Sequence, residues 1–556
     1  MQKRTSSTHM YCVKKLPEWE GEFPKISPVN VKQLQRELSE HQDKGFVKYL
    51  LDGFTFGFDT GLAYLPELSL ECDNLLSAKR QPDSTAELIQ TELDRGYIIG
   101  PYAKPPFPTY RVSPIGIAVG KYSGKKRLIV DLSAPHDSDI HRSLNELVDK
   151  DEFSLSYVKL DTAIKIIQEK GRGSWLCKVD IKDAFKLLPI KEKLWPYYGI
   201  KWNNRYYFYT RLVFGSRSSP KIFDTLSEAI CWILQNNYDI ESVLHLLDDF
   251  LTIDSPDSIP HRTMAILTLV FNKLGIPLST HKSAGPDTVL EYLGIILDTQ
   301  LMEARLPMEK VNRIISILDS FMGRKSCTKQ ELLSLLGHLN FACRVIYPGR
   351  AFVSYLISLS TTVKLLHHHV NLNQECRLDI KMWSMFLRQW NGVSFFLDHQ
   401  ETEASTLQFY TDATPIGFGA YYRGKWFCGK FEKNMIPDDC KASMALFELY
   451  PIVMSVVLWG HEWCKKRIVV KCDNESACEI INKGRSRVPF IMKFMRKLVW
   501  CEAKYNFTIR ASFIPGSTNI IADSISRFQL RKFRRLAPQA DLHPTPCLPA
   551  SELMLF

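Results

Sequence analysis

Two adjacent aspartates, Asp248 and Asp249, interrupt an otherwise apolar run in the segment Ser242–Ile253. The apolar stretches on either side predict two strands joined by a turn that carries the acids. Adjacent carboxylates that lose water repel each other, and a fold tolerates them mainly when a cation neutralises the pair. This segment alone leaves two interpretations open, a metal site and an ordinary acidic hairpin turn.

A third acid, Asp180, ends the predicted strand in Cys177–Phe185 and offers another oxygen ligand. Mg²⁺ prefers hard oxygen ligands and keeps coordination positions open for phosphates. Three aspartates around two such ions would therefore suit in-line phosphoryl transfer. Three more blocks complete an ordered series: a glycine-containing loop in Arg211–Phe223, then Gly275–Lys282 and Glu291–Asp298. Five ordered blocks favour a shared site over acids that are merely surface or turn residues.

Four further acids lie towards the C-terminal end, each on a different predicted element. They are Asp412 in the strand Leu407–Thr414, Glu448 in the apolar helical run Ala445–Val453, Asp473 after the strand Arg467–Cys472 and Asp523 in Phe513–Arg527. Each acid alone is unremarkable, but Glu448 lies in a segment too apolar to accept an unneutralised charge. Four carboxylates would again hold two metal ions.

The elements that must position these acids predict an α+β chain of several domains. Short β-rich runs alternate with helical ones from residue 96 to about residue 298. Apolar residues at helical spacing in Leu306–Leu359 predict a helical connector. From Leu407 to Arg527 strands alternate with helices, so the second group of acids has an α/β domain of its own.

The composition is that of an ordinary folded protein. Of 556 residues, 45% are hydrophobic and 24% are charged, which excludes wholesale disorder, collagen and a small disulfide scaffold. Lys and Arg (71) exceed Asp and Glu (60), and the net charge of +11 is a mild sign of a polyanionic partner. Fourteen cysteines without a C-x-x-C pair argue against a zinc knuckle or a thioredoxin motif.

Neither a membrane span nor a secretory signal is predicted. No apolar run approaches the roughly 18 residues that cross a bilayer, the longest being runs such as Ile452–Trp459. The N-terminus is polar and no apolar signal core follows it. We therefore expect an intracellular protein, in the cytoplasm or the nucleus, with no membrane partner.

The five blocks look like the palm of a reverse transcriptase, over about residues 111–298. The resemblance implies a right-hand polymerase of fingers, palm and thumb that copies RNA and DNA into DNA. By this resemblance Asp180, Asp248 and Asp249 hold two Mg²⁺ ions, or Mn²⁺ in their place, and the Ile181 carbonyl assists. The third motif reads Leu-Asp-Asp-Phe, where many retroviral enzymes have Tyr or Met first, and both acids are retained.

The same resemblance implies contacts to the nucleotide and the primer. These are Arg127 where the fingers grip the triphosphate, Phe185 at the gate that faces the sugar, Phe214 and Gly215 under the nucleotide, Lys282 near the leaving pyrophosphate, and Tyr292 to Gly294 at the primer grip. An aromatic ring at Phe185 would fill the space that a 2′-hydroxyl needs. The enzyme is therefore predicted to select deoxynucleotides.

The second group of acids, on strand, helix, strand end and helix, resembles the active site of ribonuclease H, an α/β fold. The resemblance implies that Asp412, Glu448, Asp473 and Asp523 are catalytic and hold two Mg²⁺ ions, one to activate water and one to stabilise the leaving oxygen at an RNA phosphate. Contacts to 2′-hydroxyls would recognise RNA paired with DNA. The retroviral histidine before the last acid is absent, with Ser517 near its place, so we expect retained hydrolysis with slower product release.

Three longer segments narrow the resemblance to the pol protein of DIRS-type retrotransposons, over roughly residues 70–545. They are Ser334–Arg344, Phe447–Val453 and Ala522–Gln529. The implied partners are an RNA template, a DNA primer, the RNA–DNA hybrid and deoxynucleoside triphosphates, with a separate tyrosine recombinase as a further candidate. The rival interpretation is a non-catalytic or domesticated nucleic-acid-binding protein, against which the retention of all seven acids argues.

The predicted division has five parts. They are residues 1–95, of unclear role; 96–300, reverse transcriptase fingers and palm; 301–400, helical thumb and connection; 401–530, a ribonuclease H-like domain; and 531–556, a basic and then Pro-containing tail. The basic cluster of Arg531, Lys532, Arg534 and Arg535 is either a solvated face or a nucleic-acid contact. The tail from Leu536 to Phe556 is expected to be poorly ordered.

Overall fold

The computed structural model describes residues 27–120, 124–136, 138, 140–157, 159–389, 393–395, 401–432 and 443–556. Residues 1–26 of the predicted N-terminal region lie outside these ranges. The chain divides into two compact units: one comprises residues 1–158, 177–252 and 259–286, and the other comprises residues 159–176, 253–258 and 287–556. The finer predicted domain boundaries stay predictions.

Up to Asp298 the described residues form seven helices and thirteen strands. The helices are α1 (Val31–Glu37), α2 (Lys44–Phe56), α3 (Leu76–Lys79), α4 (Pro82–Asp94), α5 (Leu160–Lys170), α6 (Ser219–Asn237) and α7 (Pro260–Lys273). The strands are β1 (Leu70–Glu71), β2 (Ile98–Tyr102), β3 (Arg111–Val112), β4 (Ile115–Val119), β5 (Lys126–Val130), β6 (Trp175–Asp180), β7 (Gly199–Trp202), β8 (Arg205–Tyr209), β9 (Val243–Leu246), β10 (Asp249–Asp254), β11 (Ala284–Asp287), β12 (Val289–Tyr292) and β13 (Ile295–Asp298). Of these, α5, β12 and β13 belong to the second unit.

A four-stranded sheet in the order β11-β6-β10-β9 carries the first group of acids. The predicted hairpin is confirmed, since Leu246 of β9 pairs with Asp249 of β10. Leu247 in the turn has a φ of 54°, a backbone conformation that non-glycine residues adopt mainly in tight turns. Val179 of β6 and Phe250 of β10 are buried in the core of the first unit, so the strands that carry the acids are anchored by packing.

Helix α6 is the longest helix of the first unit and forms much of its core. Its apolar residues recur at helical spacing, with Ile222, Leu226, Ile230 and Ile233 all buried. Pro220 lies in its first turn, where the missing N–H leaves no hydrogen bond unmade. Burying each such side chain stabilises the fold by roughly 1.5–3 kcal/mol. The remaining strands form a sheet in the order β1-β3-β7-β8-β2 and the separate hairpin β4-β5.

From residue 299 onward the described residues form ten helices and ten strands. The helices are α8 (Met308–Met322), α9 (Lys329–Ala342), α10 (Ser354–Ser360), α11 (Gln374–Gln389), α12 (Ala404–Leu407), α13 (Met444–Trp459), α14 (Glu475–Lys483), α15 (Pro489–Tyr505), α16 (Ile520–Ser526) and α17 (Leu530–Leu536). The strands are β14 (Glu303–Arg305), β15 (Ser326–Thr328), β16 (His369–Asn371), β17 (Val393–Phe395), β18 (Glu401–Glu403), β19 (Phe409–Ala413), β20 (Gly417–Tyr422), β21 (Lys425–Lys430), β22 (Arg467–Cys472) and β23 (Thr508–Phe513).

The strands that follow residue 400 combine two arrangements. β19, β20 and β21 form an antiparallel meander, in which Asp412 pairs with Gly419. β18, β22 and β23 run parallel to one another. Helices α13, α15 and α16 connect or follow these strands, which is the strand and helix alternation predicted from the sequence.

Helix α13 corrects one expectation. The stretch Met444–Trp463 is long and apolar enough, by length and composition, to cross a membrane, although no such stretch was expected. Within the fold 78% of its most apolar window is buried. Packing against β19, β20 and α15 therefore accounts for its composition. The charged residue Glu448 lies inside this buried helix.

The expectation of a poorly ordered tail is wrong. Helix α17 buries Phe533, and the chain beyond it follows strand β21. The Asp541 N–H donates to the Gly424 carbonyl (2.8 Å) and the Thr545 N–H donates to the Trp426 carbonyl (2.6 Å). A Pro-containing segment cannot form a ladder of its own, but its remaining N–H groups can bond to an existing strand. Local composition gives no sign of such a distant partner.

Candidate active sites

Asp180, Asp248 and Asp249 come together where β6 meets the β9–β10 turn. The Ile181 N–H donates to the Asp248 carbonyl (3.0 Å), which ties the end of β6 to the turn. The Ser279 N–H donates to the Asp180 carbonyl (2.8 Å). Asp180 is only 3% exposed. These backbone bonds bring acids from distant parts of the chain to one edge of the sheet.

The charge balance of this cluster favours a bound cation. Lys282 donates through Nζ to both carboxylate oxygens of Asp180, at 2.9 and 2.8 Å. Burial, and then the charges of Asp180 and Asp248, raise the pKa of Asp249 to about 6, even with Lys178 nearby. Burial and the charge of Asp180 also raise the pKa of Asp248. The carboxylates are incompletely neutralised, and hard oxygen donors in this state fit divalent metal ions.

Gly215 lies in the loop that leads into α6, at a φ of 98°. A Cβ atom there would lie 2.7 Å from the Val130 carbonyl oxygen, so the loop passes β5 closely and requires glycine. The Asn145 side chain holds this loop, donating to the Gly215 carbonyl (2.9 Å) and accepting from the Arg217 N–H (2.8 Å). Asn145 is a positioning residue that no sequence signal singled out.

Phe185 and Phe214 lie side by side, but their exposure differs. The Phe185 ring is 8% exposed, with centroids 4.7 Å from Phe214 and 5.7 Å from Phe223. Phe214 is 52% exposed. Phe185 is therefore a core residue with one small exposed face, and its role as a sugar gate stays a prediction.

The other predicted contacts lie on three further elements. Arg127 is exposed on β5, paired in register with Ala118 of β4. Tyr292 is fully buried at the end of β12 in the second unit. Gly294 follows at a φ of 79°, and its carbonyl accepts a hydrogen bond from Lys310 Nζ (2.7 Å). Their roles at the triphosphate and the primer stay predictions.

The second group of acids converges within the second unit. Asp412 on β19 and Glu448 on α13 are 4% and 2% exposed. Ser526 Oγ donates to Asp412 Oδ2 (2.5 Å), and the Ala413 N–H donates to Glu448 Oε1 (3.2 Å). The sheet and the buried helix therefore present both carboxylates to one place.

Asp473, just after β22, and Asp523, on α16, complete this cluster. The ligand atoms of Glu448, Cys472 and Asp473 all lie within 4.8 Å of one another. A Cβ atom on Gly516 would lie 2.9 Å from Asp473 Oδ2, so the loop before α16 passes this acid closely. Asp523 is partly exposed and accepts a hydrogen bond from Arg527 Nε (2.5 Å).

In this cluster the pKa values of Glu448 and Asp412 are raised further than that of Asp249 in the first cluster. Burial, and then the charges of Asp473 and Asp412, raise the pKa of Glu448 to about 9. Burial raises the pKa of Asp412 to about 7, with Asp473 and Asp523 adding to the effect. Among the described residues no N–H or O–H group donates to the buried Oε2 of Glu448. An orphaned carboxylate oxygen among other acids fits a divalent cation.

The sequence predicted the acids but missed the residues that hold them. Ser526 donates a hydrogen bond to Asp412. The Asn519 side chain donates to the Thr411 carbonyl (2.7 Å) and so connects the start of α16 to β19. Lys532 approaches Asp523 Oδ2 at 4.0 Å. Serine, asparagine and lysine are common in any loop. Without the fold, no pattern separates these three from their neighbours.

Residues 119–297 match the family model described as reverse transcriptase (RNA-dependent DNA polymerase). The matched segment contains Asp180, Asp248 and Asp249. This part of the chain is a reverse transcriptase domain, and enzymes of this family use divalent metal ions. With the strands and helices that follow residue 400, it confirms the predicted α+β multidomain fold class, in which a polymerase is followed by an α/β region that is consistent with the predicted ribonuclease H-like domain.

Similar solved structures are those of the foamy viral protease-reverse transcriptase. Its dRH form in complex with double-stranded DNA is 16% identical with a TM-score of 0.48, covering 91% of this chain and 84% of that chain. Its complex with an RNA/DNA hybrid is 16% identical with a TM-score of 0.45, covering 87% and 63%. A further complex with double-stranded DNA is 17% identical with a TM-score of 0.44, covering 87% and 97%. No protein with a curated description matches the chain.

Proposed function

We propose that this chain is a bifunctional enzyme. It copies RNA and DNA templates into DNA at Asp180, Asp248 and Asp249, and it cleaves the RNA strand of RNA–DNA hybrids at the second cluster. The observation that carries the proposal is the occurrence of two separate carboxylate clusters with raised pKa values, one in each compact unit. Strongly perturbed pKa values of buried acids cluster at functional sites.

At the polymerase site the three aspartates would hold two Mg²⁺ ions, with the Ile181 carbonyl assisting. The ions when bound would activate the primer hydroxyl and stabilise the leaving pyrophosphate. Lys282 holds Asp180 in position and leaves part of its ammonium exposed towards a phosphate. Gly215 and Phe214 would form the floor under the nucleotide, Arg127 would bind the triphosphate, and the primer grip would lie at Gly294, next to the buried Tyr292.

At the nuclease site Asp412, Glu448, Asp473 and Asp523 would hold two further ions, which when bound supply an activated water. Ser526 fixes one oxygen of Asp412, and the Ala413 N–H fixes one oxygen of Glu448. The remaining oxygens would be available to the ions, which would in turn contact the RNA phosphate. Ser517, predicted to lie near the place of the absent histidine, follows Gly516 in the segment that passes Asp473 closely.

We further propose that the chain serves the replication of a DIRS-type retrotransposon inside the cell. Its partners are then an RNA template, a DNA primer, the RNA–DNA hybrid and deoxynucleoside triphosphates. The match of residues 119–297 to the reverse transcriptase family supports nucleic acid as the partner. A separate tyrosine recombinase is the last of the proposed partners. The retention of all seven acids counts against a non-catalytic, domesticated protein.

Separation of the two activities tests the proposal. We expect Asp249→Asn to abolish extension of oligo(dT) on poly(rA) while hybrid cleavage persists, and Asp473→Asn to do the reverse, because each removes one ligand from one cluster. Asp257→Asn, an exposed acid in the turn after β10, is the matched control and should leave both activities intact. If either single variant lost both activities while unfolding at the same temperature as the wild type, the proposal of two independent sites would be wrong.

A further inference from the structure

Helix α17 carries four basic residues immediately after the helix that holds Asp523. Phe533 is fully buried, with ring centroids 5.0 Å from Trp426 and 6.2 Å from Tyr421. This side of the helix is packed against β20 and β21, and of the four basic residues Arg531 and Arg535 are exposed. The tail and the basic cluster are thus a fixed part of the ribonuclease H-like fold.

Two of the four basic residues have partners within the fold. Arg534 donates to the carbonyls of Ala540 (2.8 Å) and Leu542 (2.7 Å), and its guanidinium lies 5.2 Å from the Trp426 ring centroid. Lys532 approaches Asp523 Oδ2 at 4.0 Å. Arg534 therefore anchors the tail, and Lys532 faces the candidate nuclease site.

The other two, Arg531 and Arg535, are exposed and form no ion pair with any residue that the structure describes. Being four residues apart, they lie on one face of the helix, about 6 Å apart along its axis. With Leu530 and Arg534 they line a surface cavity of about 580 Å³. Two guanidinium groups that border one cavity repel each other unless an anion lies between them, and their fork geometry matches phosphate oxygens.

We propose that Arg531 and Arg535 form a phosphate-binding surface that holds the RNA–DNA hybrid at the nuclease site. The proposal rests on the proposed nuclease function. Its geometric basis is Lys532, which belongs to the same helix and lies within 4.0 Å of Asp523. A strand that brings a phosphate to the four acids therefore passes α17. The regular negative charge of a nucleic acid backbone complements the two arginines, and its neutralisation releases counterions.

The test compares two double variants of the full chain. Arg531→Gln/Arg535→Gln removes the proposed phosphate-binding groups. Lys32→Gln/Arg36→Gln is the matched control, because these residues are also exposed, four apart and on a seven-residue helix, α1 of the first unit. Each protein is assayed for hybrid cleavage, for primer extension, and for hybrid binding without divalent metal at several salt concentrations.

Relative to the control, the arginine variant should raise the KM for hybrid cleavage roughly tenfold with kcat nearly unchanged, and should leave primer extension unchanged. The slope of log affinity against log salt should become less negative by about 2, because two phosphates are no longer neutralised by the protein. Arg531→Lys/Arg535→Lys should restore that slope, because lysine keeps the charge.

A KM and a salt slope equal to those of the control would overturn the proposal. An acidic protein is the other class of occupant: binding of poly-glutamate that is tighter than binding of the hybrid at equal charge and salt, and that is lost in the arginine variant while hybrid binding is kept, would favour it and overturn the proposal. The binding measurement needs no turnover. If the wild type fails to cleave hybrid, the nuclease function fails, and the salt slope still decides whether α17 contacts phosphates.

Discussion

The two carboxylate clusters differ in how far neighbouring basic side chains neutralise their buried negative charge. In the polymerase cluster Lys282 pairs directly with Asp180, and the pKa of Asp249 is raised to about 6. In the proposed nuclease cluster the most buried acid, Glu448, lies on a buried helix near other carboxylates, and its pKa is raised to about 9. Among the described residues, the basic side chains there, Arg527 and Lys532, form their ion pairs with Asp523.

This difference indicates how strongly each site depends on a bound cation. A lysine inside the first cluster stabilises its charge when no ion is bound. In the second cluster burial and like charges oppose ionisation of Glu448 and Asp412 together, so a metal ion must provide most of the neutralisation. We therefore expect the nuclease site to be the more sensitive of the two to metal removal and to pH.

The largest expected effect is that of Glu448→Gln. Replacing the innermost carboxylate should lower hybrid cleavage by roughly 10²-fold or more, because one metal ligand and one charge are lost. Primer extension should change by less than about twofold. Glu475→Gln, in the exposed first turn of α14, is the control. A cleavage rate close to that of the wild type would remove Glu448 from the site.

On the polymerase side we expect Gly215→Ala to lower primer extension by roughly 10-fold to 100-fold and to leave hybrid cleavage unchanged. The new Cβ atom would approach the Val130 carbonyl at 2.7 Å and displace the loop under the nucleotide. Gly124→Ala separates the causes, because Gly124 also has a positive φ but its Cβ atom would lie within 4 Å of none of the residues that the structure describes. Equal losses in both variants would assign the effect to backbone strain.

Phe185→Val should change the selectivity of one site alone. We expect the efficiency ratio of ribonucleotide to deoxynucleotide incorporation to rise roughly tenfold, because the smaller side chain opens space for a 2′-hydroxyl. Phe223→Val is the packing control, since Phe223 touches the same ring from the fully buried side. A ratio that is unchanged from the wild type in Phe185→Val would leave Phe185 as a core aromatic only.

The smallest expected effect is on stability without metal. Glu448 binds its proton more tightly in the folded chain than at its ordinary pKa of 4.5, so the free energy of unfolding falls as pH rises from about 4.5 towards 9. In EDTA the Tm should therefore decrease over this range, and Glu448→Gln should make the decrease smaller by roughly 5 °C. Excess Mg²⁺ should reduce the difference between the two proteins. Parallel Tm curves in EDTA would argue against a buried, uncompensated Glu448.

The hairpin of β9 and β10, the strand that ends at Asp180 and the four acids near the C-terminus were all predictable from local pattern. Apolar runs of strand length, interrupted by acids, reveal both the element and the position of the carboxylate within it. The order of the five blocks was enough to predict the reverse transcriptase domain. Each block could be interpreted by itself, because its own residues largely determine its backbone shape. For the same reason helix α13 was predictable as an apolar helix around Glu448.

Only the tertiary structure determined which polar residues form hydrogen bonds or ion pairs with the acids and which do not. Ser526 bonds to Asp412 across 114 residues, and the tail segment around Thr545 bonds to Trp426. Of four basic residues on α17, Arg534 faces inward and Arg531 and Arg535 face outward, a distinction set by the burial of Phe533. The physical reason is that hydrogen bonds between distant residues depend on how elements pack, and packing at long range leaves no local period in the sequence.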